Sequence, residues 1–162
     1  MIYPTWREFL PERERLRAAR LKLVFTNGCY DLLHPGHLKT LEASRALGDR
    51  LIVAINTDAG VRSMKGPDRP ITPEGERAEV LDALEFVDDV TFFGEPTPLE
   101  IIIALRPDVL VKGADWGAGA VVGEPEVLAW GGKVARIPLA PGYSTSAIIA
   151  AIQSGTPLAA PR

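Results

Sequence analysis

The sequence predicts an α/β fold of three layers, in which a five-stranded parallel sheet is covered by helices on both faces. Five short apolar runs alternate with segments whose apolar residues recur at helical spacing. The run Leu51–Ile55 is apolar at every position, which is typical of a parallel strand buried on both faces. Polar clusters directly follow four of the five runs, and parallel sheets bind ligands beyond the carboxyl ends of their strands.

Length and composition indicate one main domain. The chain has 162 residues, of which 46% are hydrophobic, with a net charge of −3 and one cysteine. This charge argues against general nucleic-acid binding, and a single cysteine excludes an internal disulfide framework. We find no apolar run that could span a membrane and no signal-peptide pattern in the charged residues 1–20, so we expect a cytoplasmic protein.

Residues 1–20 are expected to form an N-terminal helical extension, residues 21–155 the main domain and residues 156–162 a loose tail. The extension ends in an arginine-rich helix over 12–20, for which we expect a solvated face. Apolar run 21–26 is the first strand. The helix over 35–47 is inferred from its apolar spacing and ends at Gly48, since glycine is common just beyond a helix.

Run 51–55 is the second strand, and residues 56–72 are expected to form a long loop, which inside a compact domain is often functional. A helix begins after Thr72, which suits the N-cap, with Pro73 in its first turn. Strand 90–93 follows, and then a helix from the capping-box sequence at 97–100 to residue 105. The remaining elements are strand 109–111, helix 124–130, strand 133–137 and helix 147–153.

Both histidines of the chain lie between the first strand and the first helix. Within the stretch Thr26–His37, His34 and His37 are three residues apart and follow a glycine-bearing turn. Histidine can donate hydrogen bonds and carry positive charge, and a helix N-terminus adds free N–H groups and the positive end of a dipole. Gly28 and Gly36 allow a close approach of the backbone. The stretch therefore predicts a binding site for a phosphate chain.

Residues 34–37, His-Pro-Gly-His after the turn 28–31, resemble the HxGH signature of the nucleotidyltransferase superfamily. Residues 144–146, Ser-Thr-Ser, resemble its second signature, which opens the last helix. The resemblance implies a Rossmann-like fold of the nucleotidyltransferase type. It also implies a reaction that joins a nucleoside triphosphate to a phosphorylated small molecule and releases pyrophosphate.

The stretch from about residue 21 to 153 further resembles the adenylyltransferase half of the bacterial heptose kinase/adenylyltransferases. The supporting segments are 26–31, 47–54, 63–66 with 69–70, 108–115, 130–132 and 142–145. This likeness implies that ATP and a heptose 1-phosphate give ADP-heptose and pyrophosphate, that Mg²⁺ enters with ATP, and that the protein is a homodimer. The sequence shows no dedicated acidic cluster, so no protein-held metal is expected.

These inferences assign roles to particular residues. The expected catalytic residues are His34, His37 and Lys65, the last on a loop suited to closing over the triphosphate. The expected nucleotide-binding residues are Thr26, Asn27, Gly28, Cys29, Tyr30, Gly36, Lys112, Gly113, Asp115, Thr145 and Ser146. The expected substrate-binding residues are Asp31, Asn56, Asp58 and Arg77, the last of which resembles a helix arginine that some relatives place near substrate phosphates.

Two other functions stay open at this point. A cytidylyltransferase acting on glycerol 3-phosphate, or on a similar alcohol phosphate, would share these signatures. Lys112 and the lack of an arginine at positions 139 and 140, just ahead of the serine/threonine cluster, favour the heptose-like enzyme and hence ATP. A nucleotide-sensing module without catalysis is the second alternative, but a pure binder would not need both His34 and His37.

Overall fold

Six parallel strands form the sheet of this protein. The computed structural model describes residues 1–114, 121–138, 140 and 142–158. The strands are β1 (Ile2–Tyr3), β2 (Leu23–Gly28), β3 (Arg50–Asn56), β4 (Asp89–Phe93), β5 (Val109–Gly113) and β6 (Lys133–Ile137), in the order β1-β4-β3-β2-β5-β6. The helices are α1 (Leu10–Ala18), α2 (Pro35–Arg45), α3 (Asp58–Lys65), α4 (Glu74–Asp82), α5 (Leu99–Leu105), α6 (Glu124–Ala129) and α7 (Thr145–Ser154), and a 3₁₀ turn, Trp6–Phe9, precedes α1.

The predicted three-layer α/β architecture is confirmed, but the sheet has six strands instead of five. The extra strand, β1, is an edge strand that pairs with β4, with Ile2 opposite Val90. A two-residue strand carries no periodicity that a sequence pattern could show. The packing of the buried Trp6 and Phe9, which follow it, holds it in place.

The solvated face predicted for the arginine-rich helix was wrong for Arg13. Its residue surface is 3% exposed, because α1 packs against α5. The Arg13 Nε donates to the Leu105 carbonyl at 2.7 Å, and Nη2 lies 3.2 Å from a carboxylate oxygen of Asp108. Burial lowers the pKa of this guanidinium, and the charge of Asp108 opposes that shift.

The long loop predicted over residues 56–72 was also wrong in part, because its first half forms α3. The N-cap of this helix is Thr57, whose hydroxyl accepts a hydrogen bond from the Gly60 N–H at 3.3 Å. Val61 is fully buried, whereas Lys65 is the last helical residue before Gly66, whose φ is 99°. Lys65 is therefore at the end of a helix and is not in mid-loop.

Two hydrophobic cores lie on opposite faces of the sheet, as the strand alternation requires. Leu23 and Phe25 of β2 belong to one core with residues of α1, α5 and α6. Val24, between them, belongs to the other core with Leu41 of α2 and Leu81 of α4. Full burial of each such side chain contributes about 1.5–3 kcal/mol, so the two cores hold the ends of β2 firmly in place.

The strand order places a topological switch point at β2. From β2 the chain builds outward to β3 and β4 on one side, and then crosses back to β5 and β6 on the other. A crevice forms at the carboxyl ends of the strands where the order reverses, here between β2 and β5. Among the described residues, no helix has the length and apolar character needed to cross a membrane.

Candidate active site

A cleft of about 520 Å³ opens at the carboxyl ends of β2, β3 and β5. It is lined by most of the predicted site residues: Thr26, Asn27, Gly28, Cys29, Tyr30, Asp31, His34, Gly36, His37, Asn56, Lys65, Lys112, Gly113, Thr145 and Ser146. Asp58 and Arg77 do not line it, and Asp115 lies outside the described residues. Six further residues line the cleft without a role in the sequence-based assignment, although Ser144 belongs to the second signature: Thr40, Met64, Arg69, Ala140, Tyr143 and Ser144.

His34 is the N-cap of α2 and has Pro35 as the first helical residue. The His37 N–H donates to the His34 carbonyl at 2.8 Å and approaches the His34 Nδ1 at 3.4 Å. Because Nδ1 accepts this hydrogen bond, the neutral ring carries its proton on Nε2, which is then a donor for a ligand. The two imidazole rings stack with centroids 3.8 Å apart and an angle of 14° between their planes.

The surroundings of both imidazoles favour their neutral form. Burial lowers the pKa of His34, and burial together with the neighbouring His34 lowers the pKa of His37 to about 4. The His37 Nδ1 is buried without a hydrogen-bond partner among the described residues. The pair therefore offers ring N–H donors. Either ring takes up a second proton, and with it a positive charge, only when an anion is close by.

Gly36 is required by the close approach of α2 and the segment before α7. A Cβ at this position would lie 3.0 Å from the His34 Nδ1 and 3.1 Å from the Cβ of Tyr143. The Tyr143 ring in turn stacks on His34 with a centroid distance of 6.1 Å. A side chain at position 36 would separate these groups, so glycine here keeps the N-termini of α2 and α7 at one cleft.

The N-terminus of α7 is capped by Ser144, whose Oγ accepts a hydrogen bond from the Ala147 N–H at 3.0 Å. The Thr145 hydroxyl donates to the Leu32 carbonyl at 3.1 Å, so its only proton serves to fix α7 to the loop before α2. Ser146 is exposed and lines the same cleft. The N-termini of α2 and α7, with the positive ends of their dipoles, thus lie at one cleft, which suits a polyphosphate.

Lys112 places a cation on the β5 side of this cleft. Its Nζ donates to the side-chain oxygen of Asn27 and lies 3.4 Å from the Asn27 carbonyl. The contact joins the ends of β5 and β2 across the switch point. It holds the ammonium beside the turn that leads to His34. There the oxygens of a nucleotide phosphate would accept hydrogen bonds from Lys112 in addition to the two Asn27 oxygens.

Asp31 anchors the segment 66–73 beneath the other side of the cleft. Its side chain is 1% exposed, and its carboxylate accepts hydrogen bonds from the Ile71 N–H at 2.8 Å, the Thr72 N–H at 2.9 Å and the Arg69 Nε at 2.6 Å. Burial alone would raise the pKa of this carboxyl, but these donors together hold it below its usual value. The predicted substrate ligand Asp31 is therefore saturated by the protein itself.

Arg77 is a buried structural hub. Its Nε donates to the Thr72 carbonyl at 3.0 Å, and Nη1 donates to the Cys29 carbonyl. Its Nη2 donates to the Asn56 carbonyl at 2.9 Å and to the Asp58 carboxylate at 2.8 Å. The Arg77 side chain is fully buried. The sequence-based assignment of Arg77 and Asp58 to substrate does not agree with this placement, since the two side chains bind each other and the backbone.

The family model described as cytidylyltransferase-like matches residues 25–151, which include the whole cleft from β2 to α7. The match spans most of the chain, so the chain belongs to the cytidylyltransferase-like family. The family match, the HxGH turn and a cleft that suits a polyphosphate together define the chain as a nucleotidyltransferase.

The curated relatives carry the name "Bifunctional protein HldE". That of Methylobacillus flagellatus is 55% identical over 133 residues, which cover 82% of this chain and 27% of the relative. That of Hyphomonas neptunium is 53% identical over 142 residues, which cover 88% of this chain and 29% of the relative. The chain therefore spans less than a third of the length of these relatives.

Two solved structures resemble the fold. A lipopolysaccharide core biosynthesis protein from Thermoplasma volcanium has a TM-score of 0.60 and 25% identity, and the match covers 74% of this chain and 97% of that one. Pantoate-beta-alanine ligase from Francisella tularensis has a TM-score of 0.64 over 94% of this chain and 77% of its own. At 16% identity, the ligase supports the Rossmann-like fold alone.

Proposed function

We propose that this chain transfers AMP from ATP to a heptose 1-phosphate, giving ADP-heptose and pyrophosphate. The observation that carries the proposal is the meeting of the His34–His37 pair with the N-termini of α2 and α7 in one cleft. The choice of the sugar is supported by the resemblance to heptose adenylyltransferases over residues 21–153. The identity above 50% to HldE proteins in this region supports the same choice.

In the proposed reaction a phosphate oxygen of the sugar attacks the α-phosphorus of ATP. The bond from the α-phosphorus to the bridging oxygen of the β-phosphate breaks, and pyrophosphate leaves with that electron pair. Negative charge accumulates on the transferring group and on the leaving group. The protein supplies position and positive electrostatics, and no covalent intermediate with the protein is needed.

The ring N–H groups of His34 and His37 donate to oxygens of the α- and β-phosphates. The N-termini of α2 and α7 stabilise the rest of the triphosphate. Lys65, exposed at the end of α3, neutralises the pyrophosphate as it forms. These contacts strengthen as charge develops, so they lower the barrier more than they tighten the binding of ATP.

Mg²⁺ would enter with ATP, since this ion is usually held by substrate phosphates and water. The described residues contain no group of three or more His, Cys, Asp or Glu side chains that could hold a metal. We also propose a homodimer, as the resemblance implies. Helix α7 is apolar over most of its length and none of its residues is buried, which supports α7 as the surface that a second copy would cover.

A pyrophosphate-release screen tests the proposal. Each of the four nucleoside triphosphates is combined with heptose 1-phosphate, glycerol 3-phosphate and a panel of other sugar phosphates. The expected result is release that depends on both ATP and heptose 1-phosphate, with ADP-heptose identified by mass spectrometry. Turnover only with CTP and glycerol 3-phosphate would replace the proposal with the alcohol-phosphate alternative. Nucleotide binding without any turnover would favour the sensing module.

A further inference from the structure

The β3 side of the cleft contains an arginine to which the proposed reaction has so far given no role. Arg69 lies in the segment 66–73 and lines the cleft together with Lys65. Its side chain is 16% exposed, and its Nε donates to the Asp31 carboxylate at 2.6 Å. Arg69 was not predictable as a site residue, because a charged residue in a proline-rich connection is usually solvated.

The geometry leaves part of the Arg69 guanidinium for a ligand. Only Nε contacts Asp31, and the two terminal nitrogens donate to no other described residue. Neither of these nitrogens is a buried atom without a partner, and the Arg69 side chain, 16% exposed, lines the cleft. A guanidinium fixed at one edge presents planar N–H donors that match two oxygens of a phosphate.

Asp31 sets the direction of this arginine. The Ile71 and Thr72 N–H groups hold the Asp31 carboxylate in place, so the Arg69 Nε has a fixed acceptor. The ion pair is nearly buried on the Asp31 side, where the side chain is 1% exposed. A fixed acceptor reduces the rotamer entropy that Arg69 would lose on binding an anion.

The two sides of the cleft differ in what they can bind. The helix N-termini, the histidine pair and Lys112 serve the triphosphate, Lys112 from the end of β5, and Lys65 serves the departing pyrophosphate. Lys65 and Arg69 follow β3, on the other side of β2 in the sheet order. The β3 side therefore carries two cations, of which Lys65 already has a role at the pyrophosphate and Arg69 is left for the acceptor.

We infer that Arg69 binds the phosphate of the acceptor substrate, a phosphomonoester, and that Asp31 is its positioning residue. The inference rests on the proposed transfer to a sugar phosphate. It places the attacking phosphate on the β3 side of the cleft, next to the triphosphate that the histidine pair and helix termini hold. Arg69 thereby separates recognition of the acceptor from recognition of ATP.

The test compares Arg69→Ala and Arg69→Lys with Arg62→Ala, a control on exposed Arg62 of α3, which does not line the cleft. Arg69→Ala should raise the KM for heptose 1-phosphate by about 10- to 100-fold and leave the KM for ATP within about twofold. The KM of Arg69→Lys for heptose 1-phosphate should lie between those of the wild type and Arg69→Ala. An ammonium keeps the positive charge, but it lacks the planar set of donors with which a guanidinium contacts Asp31 and a phosphate at once. The control should match the wild type in both constants.

An unchanged KM for the sugar phosphate in folded Arg69→Ala would overturn the inference. So would an equal rise in the KM for ATP, because Arg69 would then serve the triphosphate. If Arg69→Ala does not fold, Arg69→Lys decides between the same outcomes. Asp31→Asn should also raise the KM for the acceptor, with a smaller effect on kcat, as expected of a residue that acts through Arg69.

A binding measurement separates this inference from the proposed sugar. The wild type and Arg69→Ala are saturated with a non-hydrolysable ATP analogue and titrated with inorganic phosphate. Phosphate should bind the variant at least about tenfold more weakly. If the wild type rejects heptose 1-phosphate but binds phosphate through Arg69, the sugar is wrong and the subsite stands. Equal phosphate affinity in the wild type and Arg69→Ala would overturn the Arg69 subsite, whichever sugar the protein uses.

Discussion

At the scale of single residues, His34 combines two functions that are usually separate. Its backbone and Nδ1 cap α2, while its Nε2 remains a donor for a phosphate. A cap contributes about 1 kcal/mol to stability, and a preorganised donor contributes to the rate. The two contributions can be separated, because other side chains also cap helices.

We expect His34→Ala and His37→Ala each to lower kcat by about 100- to 1,000-fold with a smaller change in ATP affinity. His34→Asn is the matched variant, since asparagine is a good N-cap without an imidazole. It should regain the stability that His34→Ala loses, while its kcat stays low. Steady-state kinetics and urea unfolding of the three variants measure both effects. Near-normal kcat in His34→Asn would show that His34 is only a cap.

The histidine pair also predicts a pH dependence of stability. The pKa of His37 is about 4 in the folded protein against an ordinary value of 6.5, because burial and His34 disfavour its charged form. Between these pH values the unfolded chain binds a proton that the folded protein does not, so acid favours unfolding. The contribution is fully present above about pH 6.5 and is lost as the pH falls towards 4.

Urea unfolding at pH 7 and pH 5 checks this sign. The free energy of unfolding of the wild type should fall more than that of His37→Asn, which lacks the titrating ring. The contribution of the Asp31 carboxylate to stability also falls on acidification, but it falls equally in both proteins and cancels in the difference between them. Parallel loss of stability in the two proteins would mean that His37 titrates normally.

At the scale of secondary-structure elements, Arg77 holds the ends of four of them together. It joins the carboxyl ends of β2 and β3 and the start of α3 to the start of α4, through hydrogen bonds to three carbonyls and one carboxylate. Arg77→Leu should therefore lower the free energy of unfolding by about 3–5 kcal/mol, because it leaves these acceptors unpaired. Exposed Arg62→Leu is the control and should stay within about 0.5 kcal/mol.

Urea unfolding of the two variants gives the answer. A stable Arg77→Leu protein with a raised KM for the sugar phosphate would instead restore the sequence-based assignment of Arg77 to substrate.

Helix α3 places Lys65 at the cleft. Lys65→Ala should lower kcat while the Tm changes by no more than that of Arg62→Ala, because Lys65 is exposed and contributes no core packing. The reason is that its charge is needed only as pyrophosphate forms. Wild-type kinetics for Lys65→Ala would assign it to the solvated surface.

The elements themselves were largely predictable from the sequence. The strand runs and the helix after His34 follow from apolar spacing, and the observed bounds differ by a few residues. Helix α3 was missed because Gly60 and the nearby prolines obscured its pattern, and only the cap by Thr57 shows where it begins. The contacts of Asp31 and Arg77 were not predictable, since both residues bind backbone groups that tertiary folding brings to them.

At the scale of the whole molecule, the two ends of the sheet have different functions. At the amino ends of the strands, ion pairs stabilise the fold. For example, Arg50 Nε lies 2.7 Å from the buried Asp89 carboxylate. At the carboxyl ends, cations and helix N-termini surround the cleft. The sequence predicted most of the side chains that meet there. It did not predict the strand order, which depends on long-range pairing, and thus could not show that Lys65 and Lys112 lie on opposite sides of β2.

The central claim is adenylyl transfer to a heptose 1-phosphate, and the choice of nucleotide tests it most directly. We would measure kcat/KM for ATP and for CTP with D-glycero-D-manno-heptose 1-phosphate, following pyrophosphate release and the nucleotide-sugar product. We predict that ATP is preferred by at least tenfold, about 1.4 kcal/mol in transition-state stabilisation. A tenfold preference for CTP, or no release of pyrophosphate from ATP with this sugar, would contradict it.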